Sequence, residues 1–111
     1  MWMVAPQTIC DKHLLGEHVE LHMLVGQISR CRRLDGYAAK GLIEPARIEE
    51  RHTAIAEEMT RRGFDHKSPL RQPDIAYLPD IVKNATVDTD SAAEELRRRC
   101  SLCRARPRGA L

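Results

Sequence analysis

At 111 residues the chain has room for one domain with a modest hydrophobic core. Hydrophobic residues make up 42% and charged residues 31%, which fits a folded globular chain and excludes a disordered, low-complexity one. No run approaches the roughly eighteen apolar residues of a membrane span, and the net charge of +2 is too small to identify a nucleic-acid binder by itself.

Residues Met1 to Pro6 lack the basic and long apolar regions of a secretory signal, so a cytoplasmic protein is expected. Thr8 is the predicted N-cap of a first helix over about 8–31, with Asp11 three residues later as a weak capping box. Leu14, Leu21, Val25 and Ile28, with Cys10 a turn earlier, recur at helical spacing. Leu34 to Gly41 reads as loop or short irregular helix. Glu44-Pro45 opens a second helix with the stripe Ile48, His52, Ile55 and Met59, closed by Gly63 after Arg61-Arg62. Here His52 reads as a core histidine with one hydrogen bond. Residues 64–80 hold Pro69, Pro73 and Pro79 and are predicted to be extended loop. Ser91 with Glu94 forms a capping box for a third helix over about 91–103. No stretch alternates as a strand does, and no repeat or domain boundary is visible. The expectation is an all-α fold: a compact three-helix single domain over 1–103 with long ordered loops, and a disordered basic tail over 104–111.

Charge is segregated along the chain. Arg97, Arg98, Arg99, Arg104, Arg106 and Arg108 crowd the carboxyl end, Arg30, Arg32 and Arg33 form a second cluster, and Arg61, Arg62, His66, Lys67 and Arg71 a third. Such clustering suits a phosphate backbone, although any single cluster also reads as a solvated face. Four cysteines in a cytoplasmic chain do not suggest a disulfide framework. Cys10 and Cys31 read as isolated small core residues, while Cys100 and Cys103 form a CxxC.

The densest chemistry lies between His13 and His22, which holds three histidines and two glutamates. At about 100° per residue, His13, Glu17 and Glu20 fall on one edge of the apolar stripe, with Glu17 nearest the core and Glu20 nearest solvent. An isolated His13–Glu17 pair is a surface contact worth a few tenths of a kcal/mol. Three such groups beside apolar surface point instead to a carboxylate tuned for general base or acid work. His18 and His22 fall on the opposite edge. The plain reading there is a polar helix face, with no metal and no cofactor. The alternative is a Cys₂His₂ zinc site made by His18, His22, Cys100 and Cys103. His-Val-Glu-Leu-His is not the zincin motif, because its glutamate faces the other flank.

The run His13-Leu14-Leu15-Gly16-Glu17-His18-Val19-Glu20-Leu21 resembles the first-helix motif of the phage endonuclease V-type pyrimidine dimer DNA glycosylases. The run from Arg51 to Phe64, ending Arg61-Arg62-Gly63-Phe64, is similar to that family's next landmark. The likeness covers roughly residues 1–70. It implies a compact all-α enzyme that cleaves the glycosidic bond of damaged bases in duplex DNA. The chain's own α-amine would be the nucleophile, forming an imine, and a β-elimination would follow. An α-amine ordinarily titrates near 7.7–8.0, roughly, against about 10.4 for lysine, so more of it is free base at neutral pH. Trp2 is too bulky for ordinary removal of the initiator residue, so the implied amine is that of Met1. By the motif, Glu20 takes the place of the catalytic glutamate, with His13 and Glu17 orienting or tuning the site.

The sequence departs from the family where two arginines are expected: those places hold Val19 and Met3. The expected partner is double-stranded damaged DNA bound by a monomer, with Trp2, Lys12, Arg30, Arg32, Arg33, Arg61, Arg62 and Lys67 as candidate contacts. The alternatives are a non-catalytic DNA-binding module and a small zinc-binding helical module.

Overall fold

A computed structural model describes residues 1–66 and 68–107. Lys67 and Arg108, among the cations singled out above, lie outside the described residues. Among the described residues the fold is all-α with no strand. Three longer helices, α1 (Asp11–Ser29), α3 (Ile48–Arg61) and α5 (Thr89–Arg99), carry most of it. Three short ones, α2 (Asp35–Ala39), α4 (Asp80–Lys83) and α6 (Ser101–Arg104), sit between or after them. No described helix is long and apolar enough to cross a membrane.

The first helix begins later than expected. Pro6–Thr8 form a separate 3-10 turn, and Thr8 Oγ1 donates to the Ala5 carbonyl at 2.6 Å instead of capping α1. Helix α1 buries Leu14, Glu17, Leu21, Leu24 and Ile28, while Val25 is only partly covered. Its end explains Cys31. The Cys31 N–H donates to Ile28 and the Arg32 N–H to Gln27, both at 3.0 Å, which is the paired ending of a Schellman motif. Cys31 occupies the left-handed position with φ 54° and is exposed, so it is a helix terminator and not a core residue.

The same ending recurs after α2, where Gly41 has φ 68° and Leu42 N–H reaches the Tyr37 carbonyl at 3.0 Å. It recurs again after α3 at Gly63, φ 89°, as the sequence predicts. A 3-10 turn at Pro45–Arg47 runs into α3, whose buried face holds the expected Ile48, His52, Ile55 and Met59, plus Arg51 and Glu58. Helix α1 packs along α3. The long loop after α3 folds back on that helix. Gln72 accepts from the Glu49 N–H at 3.2 Å and donates to the Pro45 carbonyl at 2.7 Å, serving orphan groups at the start of α3.

The third long helix starts earlier than expected and stops sooner. Asp88, not Ser91, is the N-cap, accepting from the N–H groups of Asp90 and Ser91. Cys100 is extended (φ −126°, ψ 112°) and splits the anticipated 91–103 helix into α5 and α6. Leu96 and Cys103 face inward from these two pieces. Of the tail expected to be disordered over 104–111, residues 108–111 lie outside the described residues, and Arg106 Nε donates to the Gln7 carbonyl at 3.0 Å. One core joins Ile9, Leu14 and Leu21 to Ile48 and Ile55, and then to Val82, Val87 and Leu96.

Candidate active site

The amino end is built into this core. The Met1 side chain is fully buried, and its thioether sulfur accepts the Glu44 N–H at 3.3 Å. Glu44 is itself fixed, accepting from the Val87 N–H at 2.9 Å and from Arg47 at 3.1 Å. Met3, at φ 59°, turns the chain, and Met1 and Val4 on either side of it are both buried. The Met1 ammonium donates to the Glu20 carboxylate and, at 2.8 Å, to the Leu42 carbonyl. Gly41 sets that carbonyl, because the left-handed residue turns the chain just before it.

Glu20 stays 45% exposed in its side chain, so the pair opens to solvent. It lies in the wall of a cleft of about 610 Å³ whose other walls include Trp2, Met23, Tyr37 and Arg99. The Arg99 guanidinium stands 5.5 Å over the Trp2 ring, a cation–π arrangement, and its Nε is 3.4 Å from Glu95. The cleft therefore combines a primary amine, a carboxylate, an aromatic face and a cation.

Glu17, a turn earlier on the same edge, is 1% exposed. Arg51 grips both of its oxygens, with Nε donating at 2.6 Å and Nη2 at 2.8 Å, while Nη1 donates to the Val4 carbonyl at 2.5 Å. The carboxylate is thus committed to a buried bidentate pair. Arg62 is similarly enclosed. Its guanidinium serves Glu58, Asp11 and the carbonyls of Pro6 and Ile9, leaving 11% of the side chain exposed. Lys12, Arg30, Arg32, Arg33 and Arg61 are exposed at the surface, Arg33 beside Asp35 and Arg61 beside Glu58.

The histidines and cysteines regroup. Cys10 is buried as expected but not isolated. His13 Nδ1 lies 3.2 Å from Cys10 Sγ and 3.5 Å from Cys103 Sγ, and Cys100 Sγ is 3.8 Å from Cys10 Sγ. Burial lowers the His13 pKa, helped by Lys12 and Arg99. His18 and His22 instead meet His52 and His66, with ring centroids about 5 Å apart. His52 is therefore one of four clustered imidazoles rather than a lone core histidine. Burial first, then His18, His22 and His66, lower its pKa to about 4. The anticipated set of His18, His22, Cys100 and Cys103 is thus divided between two groups.

Arg51, Tyr37 and Arg99 were not singled out individually from the sequence. The signal for Arg51 was available: it lies between Ile48 and Ile55 on the apolar stripe, where a charge implies a buried partner. Nothing local marks Tyr37 or Arg99 as neighbours of Glu20.

The profile of the pyrimidine dimer DNA glycosylase family matches residues 1–72. Comparison with curated proteins and with solved structures finds no match. The matched stretch contains Met1, Glu17, Glu20 and Arg51 and covers well over half of the 111 residues. The chain belongs to the pyrimidine dimer DNA glycosylase family.

Proposed function

We propose that the protein is a DNA N-glycosylase with abasic-site lyase activity, acting on damaged duplex DNA through the α-amine of Met1. The observation that carries this reading is the contact between that amine and the Glu20 carboxylate in the wall of an open cleft. The contact gives the ammonium proton a place to go, leaving a nitrogen lone pair facing the cleft. Attack on the anomeric carbon forms the carbon–nitrogen bond as the bond to the base breaks. Ring opening, with a proton delivered to the ring oxygen, yields the imine. Removal of a proton from the adjacent sugar carbon then expels the 3′ phosphate and nicks the strand. Glu20 is placed to serve these proton transfers in turn.

The substrate must come out of the helix to reach this cleft, and a lesion lowers the cost of flipping it. Trp2 offers a stacking face. Arg99 offers a cation beside the cleft, in a chain that holds Val19 and Met3 at the places of the two expected arginines. Lys12, Arg30, Arg32, Arg33 and Arg61 are the proposed phosphate contacts, in a cytoplasmic protein that acts as a monomer. Arg62, Glu17 and His13 act by holding the framework.

The test is borohydride trapping on duplex DNA with an abasic site, using untagged protein whose amino terminus has been confirmed by mass spectrometry. The expected result is a covalent adduct that N-terminal acetylation abolishes. Salt-sensitive DNA binding without any adduct would replace this reading with a non-catalytic binding module, the outcome that Val19 and Met3 favour.

A further inference from the structure

We propose that Cys10, His13, Cys100 and Cys103 bind one zinc ion, which fastens the carboxyl-terminal helices to the start of α1. The four ligand atoms lie within 4.8 Å of one another. Around a zinc with bonds of about 2.3 Å to sulfur and 2.0–2.1 Å to nitrogen, tetrahedral ligands stand about 3.3–3.8 Å apart. The observed separations of 3.8 Å for Cys10–Cys100 and 3.5 Å for Cys103–His13 fall in that range, and the 3.2 Å of Cys10–His13 is just short of it. The sequence spacing is Cys-x₂-His and Cys-x₂-Cys, two short knuckles from opposite ends of the chain.

Backbone donors already face the sulfurs. The Cys10 N–H is 3.3 Å from Cys103 Sγ, and the Cys103 N–H is 3.4 Å from Cys100 Sγ. Such bonds stabilise thiolate charge, and Lys12 and Arg99 stand near His13 to offset the excess. The site also accounts for the break between α5 and α6: an uninterrupted helix would lack the extended Cys100 that joins the two pieces at the cluster. Cys100 and Cys103 lie beyond the residues that match the family profile. The ion would hold Arg99, the residue before Cys100, over Trp2. That last consequence rests on the function proposed above; the metal site does not.

A separate observation carries a second metal site. His66 Nε2 is 3.0 Å from His18 Nε2 and 3.3 Å from His52 Nε2, and His22 Nε2 is buried with no hydrogen-bond partner. Either contact can be an N–H···N hydrogen bond, but one ring nitrogen carries a single proton or lone pair and cannot serve both. The ligand nitrogens of His18, His22 and His52 lie within 4.8 Å of one another, and a divalent zinc-like ion with nitrogen bonds of about 2.0–2.1 Å fits among them.

The experiment uses full-length protein without a histidine tag, purified without chelator, with elemental analysis and cobalt substitution. Wild type should carry two ions per chain. Its cobalt form should show an intense thiolate-to-metal charge-transfer band together with weaker bands of a nitrogen-ligated ion. Cys100→Ser with Cys103→Ser should lose the charge-transfer band and one ion, while His22→Ala with His52→Ala should lose the other ion and keep that band. Thiol labelling of wild type gives a readout that needs no variant: Cys31 should react freely, and the other three cysteines only after metal is stripped. Wild type with no bound zinc and no charge-transfer band overturns the sulfur site. Metal at that site alone overturns the imidazole site. Either result leaves the borohydride test of the amine standing.

Discussion

Glu17 and Glu20 sit one turn apart on the same edge of α1, yet they meet opposite surroundings. Glu17 is enclosed and held at both oxygens by the rigid fork of Arg51. Glu20 is half open and touches a primary amine. A buried carboxylate with a guanidinium has little chemistry left, since releasing either partner strands a charge away from water. A carboxylate facing a cleft and an amine is open to whatever enters. One residue type within one short motif thus supplies a buried fastening and, on the function proposed above, a reacting group, and the partner decides which.

Breaking the enclosed pair should have the largest effect. Arg51→Met leaves Glu17 buried without its partner and should cost about 3–5 kcal/mol of stability, read as a shift in the urea midpoint. Adding Glu17→Leu should recover most of that loss. Equal losses in the single and double variants would contradict the account. At the open pair, Glu20→Gln should slow adduct formation by about a hundredfold to ten-thousandfold. The same variant should change stability by less than about 1 kcal/mol, so a comparable loss in both measurements would erase the contrast.

Gly41→Ala tests how the amine's second acceptor is held. There is space for the methyl group, with the nearest atom 3.9 Å away, so its cost is conformational. A left-handed alanine costs about 1–2 kcal/mol, and adduct formation should fall as the Leu42 carbonyl shifts. The smallest effect belongs to Cys31→Gly, where the same backbone position is strained by a side chain. This change should raise stability by up to about 1 kcal/mol, visible in thermal melts, and leave adduct formation unaltered.

Much of the framework was legible because it follows periodicity. The stripes of α1 and α3 point inward, Glu17 lies nearer the core than Glu20, and His18 and His22 share the other flank. What the residues meet across the fold was not legible in the same way. Cys10 read as a lone core cysteine because Cys100 and Cys103 come from the far end of the chain. His52 read as an isolated histidine because His66 arrives on an irregular loop. Two helix starts differ from the expectation for separate reasons: before α5 Asp88 and Ser91 both suit the cap and spacing does not rank them, whereas α1 starts at Cys10 without a side-chain cap. At the first start, a proline-led 3-10 turn took the place of a cap at Thr8.

The seat of the Met1 nitrogen has a practical corollary. It is shaped for an ammonium, with a carboxylate and a carbonyl as acceptors. An amide nitrogen has one hydrogen and no charge, so it cannot satisfy both. On the mechanism proposed above, a peptide fused ahead of Met1, or the extra residue left when such a fusion is clipped, would therefore act as a permanent inhibitor. Preparations differing only in which end carried the handle would differ in activity, and a silent sample would report on its own cloning history.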